Sequence, residues 1–75
     1  MNDEEMVIYE WQYHMMGGFR TALMEAICRA DEDNLERLKL GFPNDVNGYI
    51  KFTRESGWWE KVQDRAKELG WHTDI

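Results

Sequence analysis

Phe19-Arg20-Thr21-Ala22-Leu23-Met24-Glu25-Ala26-Ile27-Cys28-Arg29-Ala30 is the stretch on which the fold turns. Phe19, Ala22, Leu23, Ala26, Ile27 and Ala30 recur at steps of three and four, which lays them along one stripe of a helix. Met24 and Cys28, one turn apart, form a second and narrower apolar line. A helix apolar on two sides is covered on two sides, by its own chain or by another. Gly17-Gly18 marks a hinge ahead of it, so a helix is expected over residues 18–30.

Downstream, Asp31-Glu32-Asp33-Asn34 interrupts the pattern. Asp33 and Glu36 have the spacing of a capping box, and the run of acids suits the positive end of a following helix. A calcium loop is excluded, because counting from Asp31 the position that needs Gly is Glu36. A second helix is expected over 34–40, with Leu35 and Leu38 inward and Gly41 as its stop. Pro43 opens a third, over 43–55, whose inner face is Val46, Tyr49, Ile50 and Thr53. Gly48 in its middle costs about 1 kcal/mol relative to Ala, which makes it the least secure of the set. A fourth helix, over 57–69, points Val62, Ala66 and Leu69 inward with Trp58 and Trp59 at the edges of the stripe. Gly70 ends it, and Trp71 to Ile75 reads as a short tail. The expected fold is all-α, a compact bundle of about four short helices.

Upstream the pattern changes. Val7, Tyr9, Trp11, Tyr13 and Met15 are apolar at every second position, which is strand periodicity in good strand residues. The chain therefore divides into an acidic N-terminal arm, residues 1–16, strand-like or flexible, and a helical domain, residues 17–75. The arm holds Asp3, Glu4, Glu5 and Glu10 and no Lys or Arg, so it carries four of the net six negative charges. It reads as a solubilising tail or as an acidic segment that docks on a basic partner. Its deletion is expected to leave the helical body folded.

Seventy-five residues make one domain with a small core. Chains of this size lean on disulfides, metals or oligomers. Cys28 is the sole cysteine, and His14 and His72 stand far apart with no cysteine beside them. An internal disulfide and a four-ligand zinc site are thereby excluded. Self-association is the remaining support, and a dimer is expected. No basic footprint for nucleic acid appears. The longest apolar run, Met6 to Tyr9, falls far short of the ~20 residues that span a bilayer. With an acidic start and a lone thiol, a cytoplasmic location is expected. No phosphate loop, nucleophile–base pair or marked carboxylate pair is present, so the chain is read as not an enzyme, without catalytic, cofactor-binding or metal-binding residues.

What is left is surface. The candidate partner-binding residues are Trp11, Tyr13, Met24, Cys28, Trp58 and Trp71, chosen because large aromatic and apolar side chains are enriched at interfaces. Thr21-Ala22-Leu23-Met24-Glu25-Ala26-Ile27, then Ala30-Asp31, Asn34-Leu35, Leu38, Gly41-Phe42-Pro43 and Gly57-Trp58-Trp59, resembles small phage- and prophage-encoded proteins of unknown function. The resemblance covers roughly residues 19–66, and the acidic arm departs from it. It implies no catalytic residues. It implies a non-enzymatic accessory protein that binds and modulates a host protein, for example a defence or transcription component. The alternative is an oligomer that sequesters a small nucleotide, with Arg20, Arg29 and Arg37 on its phosphates. The middle of the chain is also similar to an ankyrin hairpin, but no repeat follows and an isolated unit would not bury its face.

Overall fold

The computed structural model describes residues 1–73; the last two residues of the expected tail lie outside the described residues. The described residues form five helices and no strand: α1 (Asp3–Gln12), α2 (Gly18–Arg29), α3 (Glu32–Gly41), α4 (Pro43–Arg54) and α5 (Trp58–Glu68). The all-α expectation is borne out. The strand-like or flexible arm is not, because residues 3–12 are helix.

Local chemistry explains α1. The Asn2 side chain accepts from the Glu5 amide at 2.8 Å, and the Glu5 carboxylate accepts from the Asn2 amide at 2.9 Å, which closes a capping box. Asp3, Glu4 and Glu5 also lie at the positive end of the helix dipole. Ile8, wholly buried, breaks the alternation that suggested a strand. Apolar residues scatter around this helix because it is covered on more than one side, by α4 and by α5. It ends in a Schellman turn. His14 adopts φ 57°, while the Met15 amide donates to the Glu10 carbonyl at 2.8 Å and the His14 amide to that of Trp11 at 3.2 Å.

The other boundaries fall close to expectation, with one shift. Asp31 rather than Asp33 caps α3, its carboxylate accepting from the Asn34 amide at 2.9 Å, so the helix begins two residues earlier. Gly70 supplies the positive φ that ends α5, and the Trp71 amide donates to the Ala66 carbonyl at 2.8 Å.

The buried faces depart from the expected ones, most of all in α2. In α2 the buried residues are Leu23, Met24 and Ile27, whereas Phe19, Ala22 and Ala26 are exposed. The core lies on the Met24 side because that side meets Ile8 of α1 and Val46 of α4. In α5, Val62 and Ala66 are buried as expected, but Leu69 is exposed. Thr53 of α4 is exposed as well, with its hydroxyl donating back to the carbonyls of Tyr49 (2.9 Å) and Ile50 (3.3 Å).

Gly48 has a positive reason to be glycine. A β-carbon there would sit 2.9 Å from the Glu4 carbonyl oxygen and 3.1 Å from Cγ1 of Ile8. The backbones of α1 and α4 meet at this point, and only the absence of a side chain permits it. A mid-helix alanine normally stabilises by about 1 kcal/mol over glycine. Here we expect Gly48→Ala to destabilise by about 1–3 kcal/mol, the usual cost of overpacking. Gly41→Ala, at a helical position with open space around it, serves as the control and should hold or raise the melting temperature. A Gly48→Ala protein as stable as wild type would mean that the two helices do not touch there.

Deleting residues 1–12 tests the same packing from the other side. It removes Val7 and Ile8 from the core cluster and uncovers Met24 and Val46. Each such aliphatic contributes roughly 1.5–3 kcal/mol on burial, against a total stability of about 5–15 kcal/mol. The truncated chain should lose its cooperative melt and much of its helical circular dichroism. Retention of both would restore the independent arm that the sequence suggested.

Candidate functional site

Three of the four N-terminal acids are used internally. Glu5 is buried, and both its carboxylate oxygens accept from Nη1 of Arg65 at 2.6 Å. Glu4 pairs with Lys51, whose pKa is held above its usual value chiefly by that hydrogen bond. Glu10 meets Arg20 at 3.2 Å. These carboxylates fasten α1 to α5, α4 and the start of α2. An arm that offers them to a basic partner is therefore corrected.

Three of the aromatic candidates, Trp11, Tyr13 and Trp71, lie on or against α1, and Trp58 packs on the edge of the core. Trp11 packs against Tyr49 and edge-on against Phe52, and Phe52 meets Trp59 edge-on with centroids 5.6 Å apart. Tyr13 stacks on Tyr9 at 4.8 Å and lies 6.3 Å from Trp59, while Tyr9 meets Trp71 at 5.2 Å. Trp11, Tyr13, Trp58 and Trp71 are each half-buried, so part of every ring is accessible. Two phenols tie the C-terminal segment down: the Tyr9 hydroxyl donates to the His72 carbonyl at 2.7 Å, and that of Tyr13 to the Thr73 carbonyl at 2.6 Å. Burial, and secondarily the neighbouring Tyr13, push the Tyr9 phenol above its usual pKa. Met24 has no exposed surface, so a partner-binding role for it is corrected. Of the two expected coverings of the Met24–Cys28 line, by its own chain or by another, Met24 has the first, packed in the core with Ile8 of α1 and Val46 of α4.

A different face of α2 is open. α2 and α3 barely touch each other; each packs on α4, and a groove of about 500 Å³ runs between them. Ala26, Ala30 and Leu38 give it an apolar lining, and Arg29, Asn34 and Arg37 supply its polar groups. Beyond it Phe19, 71% exposed, leans on the partly exposed Phe42 with ring centroids 6.3 Å apart. Reading Phe19 as core concealed this pair. The available signal was Phe19 in the first turn after Gly17-Gly18, where a side chain has few neighbours, and Phe42 at a helix junction before Pro43.

Of the three arginines first considered for phosphate contacts, Arg29 and Arg37 share this groove and Arg20 is engaged by Glu10. A second hollow, about 350 Å³, lies beside the C-terminal segment among Met6, Tyr9, Met15, Trp71 and His72. Among the described residues no three of His, Cys, Asp and Glu converge as metal ligands, and no helix is long and apolar enough to cross a membrane.

Cys28 is exposed, on the flank of α2 away from the groove. Desolvation of its thiol, then the Glu25 carboxylate, push its pKa up against the opposing effect of Arg29. No protein-family model, curated protein or solved structure matches the chain.

The thiol gives a test of this local electrostatic picture. A raised pKa means less thiolate at neutral pH than in a free cysteine, whose pKa is about 8.5. Alkylation of Cys28 by iodoacetamide should be slower than that of a short unfolded peptide at pH 7. Its rate should inflect at a higher pH, and Glu25→Gln should move that inflection down. An inflection at or below the peptide's would contradict the placement of Cys28 beside Glu25.

Proposed function

We propose that this chain is a non-enzymatic accessory protein of the phage type that binds and modulates a host protein, and that the α2–α3 face makes the contact. The observation that carries the reading is the exposed pair Phe19 and Phe42, carried by α2 and by the end of α3, the same two helices that line the groove. Isolated exposed apolar residues are ordinary on protein surfaces, but a cluster of aromatics beside a groove with arginines at its sides has the make-up of an interface centre. The half-buried tryptophans contribute less to the reading, because the rings of Trp11, Trp59 and Trp71 are already engaged with tyrosine and phenylalanine side chains of the same chain. Self-association into a dimer belongs to the same proposal, since a second copy would find the same face available.

The nucleotide-sequestering reading draws on one specific observation, the meeting of Arg29, Arg37 and Asn34 in a single groove. It gains no support from Arg20, which is occupied, and it leaves the exposed phenylalanines without a role.

A tagged protein should capture a defined protein from host lysate, and Phe19→Ser with Phe42→Ser should abolish the capture. Phe19 is largely exposed and Phe42 partly so, and circular dichroism verifies that the double variant is folded. Sedimentation of the two proteins shows whether self-association depends on the same pair. Capture by wild type that persists unchanged in the double variant would move the contact elsewhere. No protein captured at all would remove the reading.

A further inference from the structure

Five arginines are present in the sequence. Three are held by carboxylates: Arg20 by Glu10, Arg54 by Glu32 and Arg65 by Glu5. The two that no carboxylate of the described residues approaches within ion-pair distance, Arg29 and Arg37, are the two that line the α2–α3 groove. The chain has fifteen acids against nine bases, so carboxylates are not scarce. Glu25 stands four residues before Arg29, and Asp33 four before Arg37, which is the spacing of a helical ion pair. Neither pair closes.

We infer that this groove receives an acidic amphipathic helix of the partner protein, its apolar stripe on Ala26, Ala30 and Leu38 and its carboxylates on Arg29 and Arg37. The inference rests on the protein-binding reading above and adds the chemistry of what is bound. Lining residues as small as alanine let the backbone of an incoming helix approach closely, and helix-in-groove docking reads apolar anchors at three- and four-residue steps. Guanidinium groups at the sides suit carboxylates, which they engage in two-pronged hydrogen bonds. A basic helix would place like charges against them. A free phosphate or nucleotide would satisfy the two arginines but leave the apolar lining and the phenylalanine pair uncovered.

The test uses the full chain and two synthetic helical peptides. Each carries a leucine stripe at three- and four-residue spacing; in one the flanking residues are glutamate, in the other lysine. Binding is followed by fluorescence anisotropy and by amide chemical shifts of the protein. The glutamate peptide should bind more tightly, shift Ala26, Ala30 and Leu38, and weaken as salt rises. The exchange R29E with R37E should cost that peptide about tenfold or more in affinity and favour the lysine peptide instead. Both positions lie at the surface of their helices, and circular dichroism verifies that the exchanged protein is folded. Equal binding of the two peptides, binding of neither, or shifts mapping outside the groove would overturn the inference. So would groove shifts produced by inorganic phosphate or ATP where the glutamate peptide gives none. In the lysate experiment, capture that survives R29E/R37E but not the phenylalanine variant overturns this inference alone. Absence of any capture by wild type overturns the reading beneath it.

Discussion

The close approach of α1 and α4 at Gly48 is the constraint on which the rest of the molecule depends. With no β-carbon on α4 at that point, the carbonyl of Glu4 and the side chain of Ile8 come directly against its backbone. That contact places Ile8 at the centre of the core beside Met24, Ile27 and Val46. It also brings Glu4 within reach of Lys51 and sets Glu5 against Arg65. Glycine weakens α4 as an isolated helix by about 1 kcal/mol. The burial it permits is worth more, since one fully buried aliphatic contributes roughly 1.5–3 kcal/mol. For so short a chain, with a single cysteine, this contact secures much of a small core.

How much of this was legible follows from the nature of each signal. Pro43, Gly70 and the apolar spacing around Val46 and Val62 act locally, and local chemistry placed α2, α4 and α5 to within a residue or two. The rotation of α2 was not legible, because Leu23 and Ile27, members of the expected stripe, have Ala22 and Ala26 on one side and Met24 and Cys28 on the other. Which side is buried depends on where α1 comes in. α1 itself was obscured by three features at once. Its aromatics alternate, its apolar residues surround the wheel, and its partner contact is marked by a glycine, which reads as a weakness when seen in one helix alone. The sequence held the corrective signals in Asn2 and Glu5, a capping pair ahead of an apolar run, and in Ile8, which breaks the alternation. The candidate site was less legible than the fold. Phe19 has the right spacing for the core and the wrong position for it, at the first turn after a glycine pair.

Charge was misread for a related reason. Counted along the chain, the N-terminal segment is the acidic part and the remainder is nearly neutral. Counted in space, Glu4, Glu5 and Glu10 are matched by Lys51, Arg65 and Arg20. These pairs are partly exposed except at Glu5, so each adds little stability by itself. Their larger effect is on the electrostatic surface. They consume bases from the body of the protein as well as acids from its beginning, and they leave two arginines facing a groove. Net charge distributed along a sequence says little about where an unmatched charge ends up; that depends on which helices meet.

Stability and binding are thereby assigned to different parts of one small molecule. α1, α4, α5 and the C-terminal segment hold one another through Gly48, the aromatic row and the two tyrosine hydroxyls. α2 and α3 are each anchored to α4 by a single apolar face, and their opposed outer faces carry little of the core. Ala26, Arg29, Asn34 and Arg37 can change without emptying a core site, whereas almost any change at Ile8 or Gly48 alters the packing of the whole. Ala26, Arg29, Asn34 and Arg37 lie together on the facing sides of α2 and α3, which are joined at the Ala30-Asp31 corner. The extended backbone of Ala30, φ −72° and ψ 139°, ends α2, and Asp31 caps the helix that follows. The groove is lined from both sides of that corner, by Ala26, Arg29 and Ala30 before it and by Asn34, Arg37 and Leu38 after it.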